Sequence, residues 1–103
     1  MSLTDPMSDP NPYVIVRTQN AGVFAGTLLG PEGNTVVLIA ARRLWRWFGA
    51  ASLSQMATSG TSKPKECKFP EEVLRIRLFG VIEILMVTPK ARKTIESVPI
   101  WKE

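Results

Sequence analysis

The chain of 103 residues contains no histidine and only one cysteine, Cys67. Without histidine it cannot build the Ser–His or Cys–His pairs of many hydrolases, or a zinc site with an imidazole ligand. A single cysteine excludes an internal disulfide and is typical of a reducing compartment. We therefore expect Cys67 to be an inert packing residue rather than a nucleophile.

Long apolar runs and paired carboxylates are also missing. No stretch approaches the roughly 20 apolar residues of a membrane helix, and residues 1–12 lack the apolar core of a signal peptide. Glu71, Glu72 and Glu83 lack the opposed placement of catalytic carboxylate pairs. The turn at residues 30–33 lacks the lysine of a phosphate-binding loop. These absences predict a cytoplasmic protein that is not an enzyme and that has no metal site or cofactor.

The composition is that of an ordinary globular domain with a basic balance. Hydrophobic residues make up 45% of the chain, charged residues 21%, and the net charge is +4. Such a charge favours nucleic acid or acidic partners. Residues 1–12 contain Pro6, Pro10 and Pro12 and predict an irregular arm, whereas residues 13–103 predict one small domain.

Alternating β-branched and apolar residues predict strands at 13–18, 23–29, 35–41, 73–78 and 81–87. Helical spacing predicts a helix at about 50–58 that ends at Gly60, and a second at about 89–97 that Thr88 caps. Gly26, inside the second strand, predicts a sharp bend. Residues 59–70 predict a loop that Cys67 and Phe69 anchor to the domain.

These elements predict a mainly β fold with two short helices, of the α+β class. Its expected form is a small, strongly bent, five-stranded antiparallel barrel that resembles Sm-like and other SH3-type barrels. An α+β sheet with both helices on one face is the alternative. We also expect the last two strands to form a hairpin that buries two triplets of side chains on one face. The triplets are Leu74, Ile76 and Leu78, and Ile82, Ile84 and Met86.

Residues 40–54 interleave cationic and aromatic side chains and hold two of the three tryptophans. Guanidinium groups pair with phosphates and indoles stack on bases, so this pattern is typical of nucleic-acid contacts. The alternative is packing, in which the tryptophans anchor the core and the arginines cover their rings. The candidate ligand-binding residues are Arg42, Arg43, Trp45, Arg46, Trp47, Arg75 and Arg77, extended by the loop lysines Lys63, Lys65 and Lys68.

The span from Tyr13 to Trp101 resembles a family of small uncharacterised proteins of tailed phages and prophages. The segments that carry the resemblance are Tyr13-Val14-Ile15-Val16-Arg17-Thr18, Gly22-Val23-Phe24-Ala25-Gly26, Ala41-Arg42-Arg43-Leu44-Trp45, Gly49-Ala50-Ala51-Ser52-Leu53-Ser54, Cys67-Lys68-Phe69-Pro70 and Ile82-Glu83-Ile84. The chain departs from the family at Arg46, where a tyrosine is frequent. The resemblance implies a phage or prophage origin and a bacterial cytoplasm, and it implies no activity.

Two functions remain open. The first is a nucleic-acid or nucleotide-binding module that uses the arginine and tryptophan side chains. The second is a protein-interaction module that binds a host or virion protein, or another copy of itself. Added salt should weaken nucleic-acid binding steeply, whereas an apolar protein interface should be much less sensitive.

Overall fold

The computed structural model describes residues 10–33 and 35–103. Of the arm predicted at 1–12, residues 1–9 lie outside this description. Helix α2 coincides with its predicted range, α1 begins after the Ser52 cap and ends before Gly60, and β2 and β3 run longer than predicted. The elements are β1 Tyr13–Thr18, β2 Val23–Glu32, β3 Thr35–Arg43, α1 Leu53–Ser59, a 3-10 turn Pro64–Glu66, β4 Val73–Leu78, β5 Val81–Met86 and α2 Pro89–Ser97.

The five strands form one antiparallel sheet in the order β4-β3-β2-β1-β5. The protein is therefore a mainly β member of the α+β class with two helices, as expected. β4 and β5 are the two edges of this sheet and do not pair with each other. The sheet is open, so the closed barrel is not confirmed, and the expected hairpin of the last two strands is wrong.

The sheet nevertheless bends sharply, because its two edge strands follow each other in the chain. Only Phe79 and Gly80 separate β4 from β5. In a flat sheet four strand spacings would hold the edges about 19 Å apart. Three successive Cα–Cα steps, from Leu78 to Val81, span at most about 11 Å. The end of β4 and the start of β5 therefore meet at one corner of a coiled sheet.

The bend is concentrated where β2 crosses β3. The register between these strands shifts between Ala25 and Thr27, and again between Leu28 and Gly30. Ala40, opposite the first shift, has a left-handed φ of 52°. A Cβ atom on Gly26 would lie 3.1 Å from both the Ala41 Cα and the Ile39 carbonyl oxygen. The close approach expected for Gly26 is thus confirmed, since β3 leaves no room for a side chain there.

Both faces of the sheet bury apolar side chains. One cluster lies between the sheet and the helices, where Ile15 and Ala25 pack with Met56, Phe69 and Ile95. A second cluster lies inside the bend, on the concave face. Its buried members are Val14, Val16, Phe24, Val36, Leu38, Ala41 and Leu78. The interior strand β1 is consequently apolar on both of its faces, from Tyr13 to Val16.

The predicted alternation of side chains along β4 and β5 agrees with the observed strand pairing, although the predicted β4–β5 hairpin does not. Ile84 lies beside Val16, and Ile76 lies beside Leu38, so both face the concave cluster. Three members are not buried as expected: Leu74 is 85% exposed, Ile82 is 51% exposed and Ile84 is 39% exposed. They are exposed because each edge strand has a neighbour on only one side.

Replacing Gly26 by valine should lower the free energy of unfolding by more than about 2 kcal/mol, because β-branched carbons would collide with the β3 backbone. Urea denaturation followed by circular dichroism measures this loss. Thr27→Val, a β-branched residue at the next position, is the control and should stay within about 0.5 kcal/mol. A Gly26→Val protein as stable as this control would contradict the close approach of β2 and β3.

Candidate functional site

The segment after β3 is extended, and its backbone pairs with the segment that precedes β4. Arg46 and Lys68 form an antiparallel bridge, in which the Lys68 amide donates to the Arg46 carbonyl over 2.7 Å. Leu44 is buried, and Trp47 packs half-buried against the helix-side core. Trp47 therefore packs against the core, as the alternative to ligand contact predicted, whereas Trp45 and Arg46 lie on the surface.

Arg42, a candidate ligand residue, points into the protein and is only 8% exposed. Its guanidinium donates to the carbonyls of Phe69 and Val98, each over 2.8 Å, and more weakly to three others. The three are Ile95 and Pro99 at 3.3 Å and Pro70 at 3.4 Å. Burial lowers the pKa of Arg42 from its ordinary value, because it desolvates the charged form. These contacts occupy the N–H groups of Arg42 that a phosphate ligand would need as donors.

The other two arginines of the stretch lie in different places. Arg43 is half-buried, with its guanidinium carbon 4.4 Å from the centre of the Phe24 ring, and it donates to the Ala21 carbonyl. Arg46 is exposed, 5.2 Å from the Phe48 ring centre. The three arginines therefore do not converge on one face. Arg75 and Arg77 lie farther along the sheet, on exposed positions of the edge strand β4.

Trp45 is 61% exposed and lies parallel to Trp101. The ring centres are 6.4 Å apart and the planes differ by 8°. The Lys68 ammonium lies 5.5 Å from the centre of the Trp101 ring. We call Trp45, Arg46, Lys68 and Trp101 the indole patch. Sequence reasoning missed Trp101 as a member of this site, because the residue lies far from Trp45 in the chain.

The position of Trp101 follows from the backbone around it. Its amide donates to the Phe69 carbonyl over 3.0 Å, and Ile100 bridges Phe69 in parallel. Lys102 reaches Glu71 at 3.6 Å, an exposed ion pair that stabilises little. The sequence signal for Trp101 was an aromatic residue two positions after Pro99, but its partner could not be predicted from spacing.

A separate polar cleft of about 250 Å³ lies between the sheet and α2. Its walls include Tyr13, Arg42 and Glu72, together with Arg92 and Glu96 of α2. Arg92 lies over the Tyr13 ring and pairs with Glu96 at 3.1 Å. Burial, reinforced by Glu96, raises the pKa of the Tyr13 phenol to about 12, so the group stays neutral at physiological pH. The Tyr13 phenol is therefore not an ionised nucleophile near neutral pH.

Comparison with known proteins places the chain in a family. A family model described as a domain of unknown function, DUF6948, matches residues 11–95. The chain belongs to this family. The matched span runs from just before β1 to the last turns of α2 and includes Arg42 and Trp45, but it ends before Trp101. No curated protein and no solved structure matches the chain.

Two further observations concern the described part of the chain. Within residues 10–33 and 35–103, no three Cys, Asp or Glu side chains come together in a group that could hold a metal ion. In the same residues, no helix has the length and apolarity needed to cross a membrane.

Replacing Arg42 by methionine should cost at least about 3 kcal/mol of folding free energy, because buried carbonyls lose a charged donor. Urea denaturation measures the loss. The matched control is Arg46→Met, which removes an exposed arginine four positions away and should cost no more than about 1 kcal/mol. Equal losses in the two variants would show that the carbonyl contacts of Arg42 do not stabilise the fold.

Tyr13 is the one tyrosine of the chain, so the ultraviolet absorbance of tyrosinate reports on it alone. We expect ionisation near pH 12 in the folded protein and near the ordinary 10.0 in urea. Because the unfolded state loses its proton first, stability should fall as the pH rises through this window. The Tyr13→Phe variant has no phenol, so its stability should not show this contribution to the decrease. Ionisation near pH 10 in the folded protein would mean that the phenol is hydrated.

Proposed function

We propose that this protein is a non-enzymatic module that binds single-stranded nucleic acid through the indole patch. The observation that carries the proposal is the pair of parallel tryptophans, Trp45 and Trp101, with large parts of both rings open to solvent. Exposed tryptophan is unfavourable in water and is enriched where a ligand covers it. Every base has an apolar face, so stacking on indoles tolerates any sequence.

The charges beside the indoles support a phosphate-bearing ligand. Lys68 lies at the Trp101 ring, and the backbone bridge brings the exposed Arg46 next to Lys68. Two cations beside two stacking surfaces can contact the phosphates on either side of a stacked base. The net charge of +4 adds a long-range attraction to any polyanion.

The proposal extends to the setting of the protein. The segments shared with phage and prophage proteins, such as residues 41–45 and 67–70, support an origin in a phage or prophage and action in a bacterial cytoplasm. The sheet order, with the two edges meeting at Phe79 and Gly80, supports a bent fold related to SH3-type barrels whose seam stays open. Small folds of this kind carry many functions, so the site and not the fold argues for binding.

Fluorescence anisotropy of a labelled, mixed-sequence DNA or RNA oligonucleotide at low salt tests the proposal. Trp45→Ala and Trp101→Ala should each weaken binding by about 5- to 150-fold, the value of one lost stacking contact. Lys68→Gln should reduce the slope of log affinity against log salt by about 0.7, the value of one phosphate contact.

The charge control is Lys90→Gln. Lys90 is exposed in the first turn of α2, whereas Trp101 follows the other end of that helix. This variant loses the same charge and should keep both the affinity and the salt slope. The proposal fails if the unmodified protein binds no oligonucleotide at low salt, or if Trp45→Ala binds as well as Lys90→Gln.

A further inference from the structure

The edge strand β4 has two chemically different faces and one free side. Within the described residues it pairs only with β3, so the backbone groups on its other side have no strand partner. By the alternation along the strand, Leu74, Ile76 and Leu78 face the concave side, and Arg75 and Arg77 face outward. Free, partly apolar edges of this kind are templates for another strand.

A pocket of about 370 Å³ continues the apolar face of β4. It lies between the β1–β2 turn and the β4–β5 corner, and Phe79 at its mouth is 66% exposed. Apart from Asn20, the lining residues are apolar or cationic, and none is a carboxylate. They include Phe24, Ile76, Leu78, Phe79, Arg43 and Arg77.

Arg43 is held rigidly in the wall of this pocket. Its guanidinium lies over the Phe24 ring, and one of its nitrogens, Nη1, donates to the Ala21 carbonyl. In the part of the chain that the structure describes, Ala21 is the one hydrogen-bond acceptor of Arg43.

We infer that the β4 edge and this pocket dock an extended segment of another protein, in which apolar side chains alternate with carboxylates. Such a segment pairs with β4 as an added strand. Its apolar side chains continue the row of Leu74 and Ile76, and one of them fills the pocket. Its carboxylates lie beside Arg75 and Arg77 on the outward face, so both faces of the added strand are complementary to β4.

A second copy of this chain is a poorer occupant. Its other free edge, β5, alternates Ile82, Glu83 and Ile84, and therefore offers one carboxylate to the arginines of β4. That carboxylate is already paired, because Arg17 Nε lies 2.9 Å from a Glu83 carboxylate oxygen. Charge complementarity thus favours a more acidic strand than the chain itself provides.

A synthetic peptide of alternating valine and glutamate with a phenylalanine near one end tests this inference. Its binding is compared by fluorescence anisotropy with that of the same peptide carrying lysine for glutamate. The unmodified protein should bind the glutamate peptide at least about tenfold more tightly. In the double variant Arg75→Glu, Arg77→Glu this preference should reverse, because the charges of both strands are exchanged.

The matched control is Lys90→Glu, Lys93→Glu, which makes the same charge change on α2 and should keep the preference of the unmodified protein. Trp45→Ala should also bind the peptide normally, which separates this site from the proposed nucleic-acid site. Hydrogen exchange on the unmodified protein should show that the peptide protects amides of β4 and leaves those of β5 unchanged, a result that needs no variant to fold.

Three results would overturn the inference. The first is equal binding of the glutamate and lysine peptides by the unmodified protein. The second is peptide protection that misses β4. The third is sedimentation of the free protein as a dimer that Leu74→Lys dissociates, since a second copy would then occupy the edge.

Discussion

The buried guanidinium of Arg42 connects the end of β3 to the segment before β4 and to the end of α2. The last carbonyls of a helix have no partner within it and carry the negative end of its dipole, so a cation satisfies them well. Arg42 donates to Ile95 and Val98 there, and to Phe69 on the neighbouring segment. The backbone of Phe69 in turn holds Ile100 and Trp101, and Trp101 lies against Trp45. The buried Arg42 thus helps to position the indole patch.

Arg42 reaches the helix side of the sheet because the alternation of side chains along β3 shifts by one residue at Ala40. Leu38 and Ala41 are three positions apart, yet both belong to the concave cluster. In a regular strand an odd separation puts two side chains on opposite faces. The left-handed Ala40, opposite the close approach of Gly26, adds the extra residue that makes this possible. The bend and the burial of Arg42 therefore have one cause.

The same one-residue shift at Ala40 also separates the candidate arginines. Arg42 points to the helices, Arg43 points to the concave pocket beside Phe24, and Arg46 follows an extended segment to the surface. The interleaved cations and aromatics of residues 40–54 therefore lie in different parts of the structure. Sequence reasoning named Trp45 and Arg46, which lie on the surface, and its packing alternative describes Arg42 and Trp47. It could not join Trp45 to Trp101, because nothing in the spacing of residues so far apart reports a contact.

Local chemistry determined what the sequence alone could predict. β-branched alternation placed the five strands, Thr88 marked the start of α2, and Gly26 marked the bend, because each of these depends on the residue and its near neighbours. Only the tertiary structure decided that β4 and β5 lie at opposite edges and that Arg42 is internal. Alternation tells which side chains share a face, but the partner strand and the acceptors of a buried cation come from distant segments. Their positions depend on how the whole chain packs.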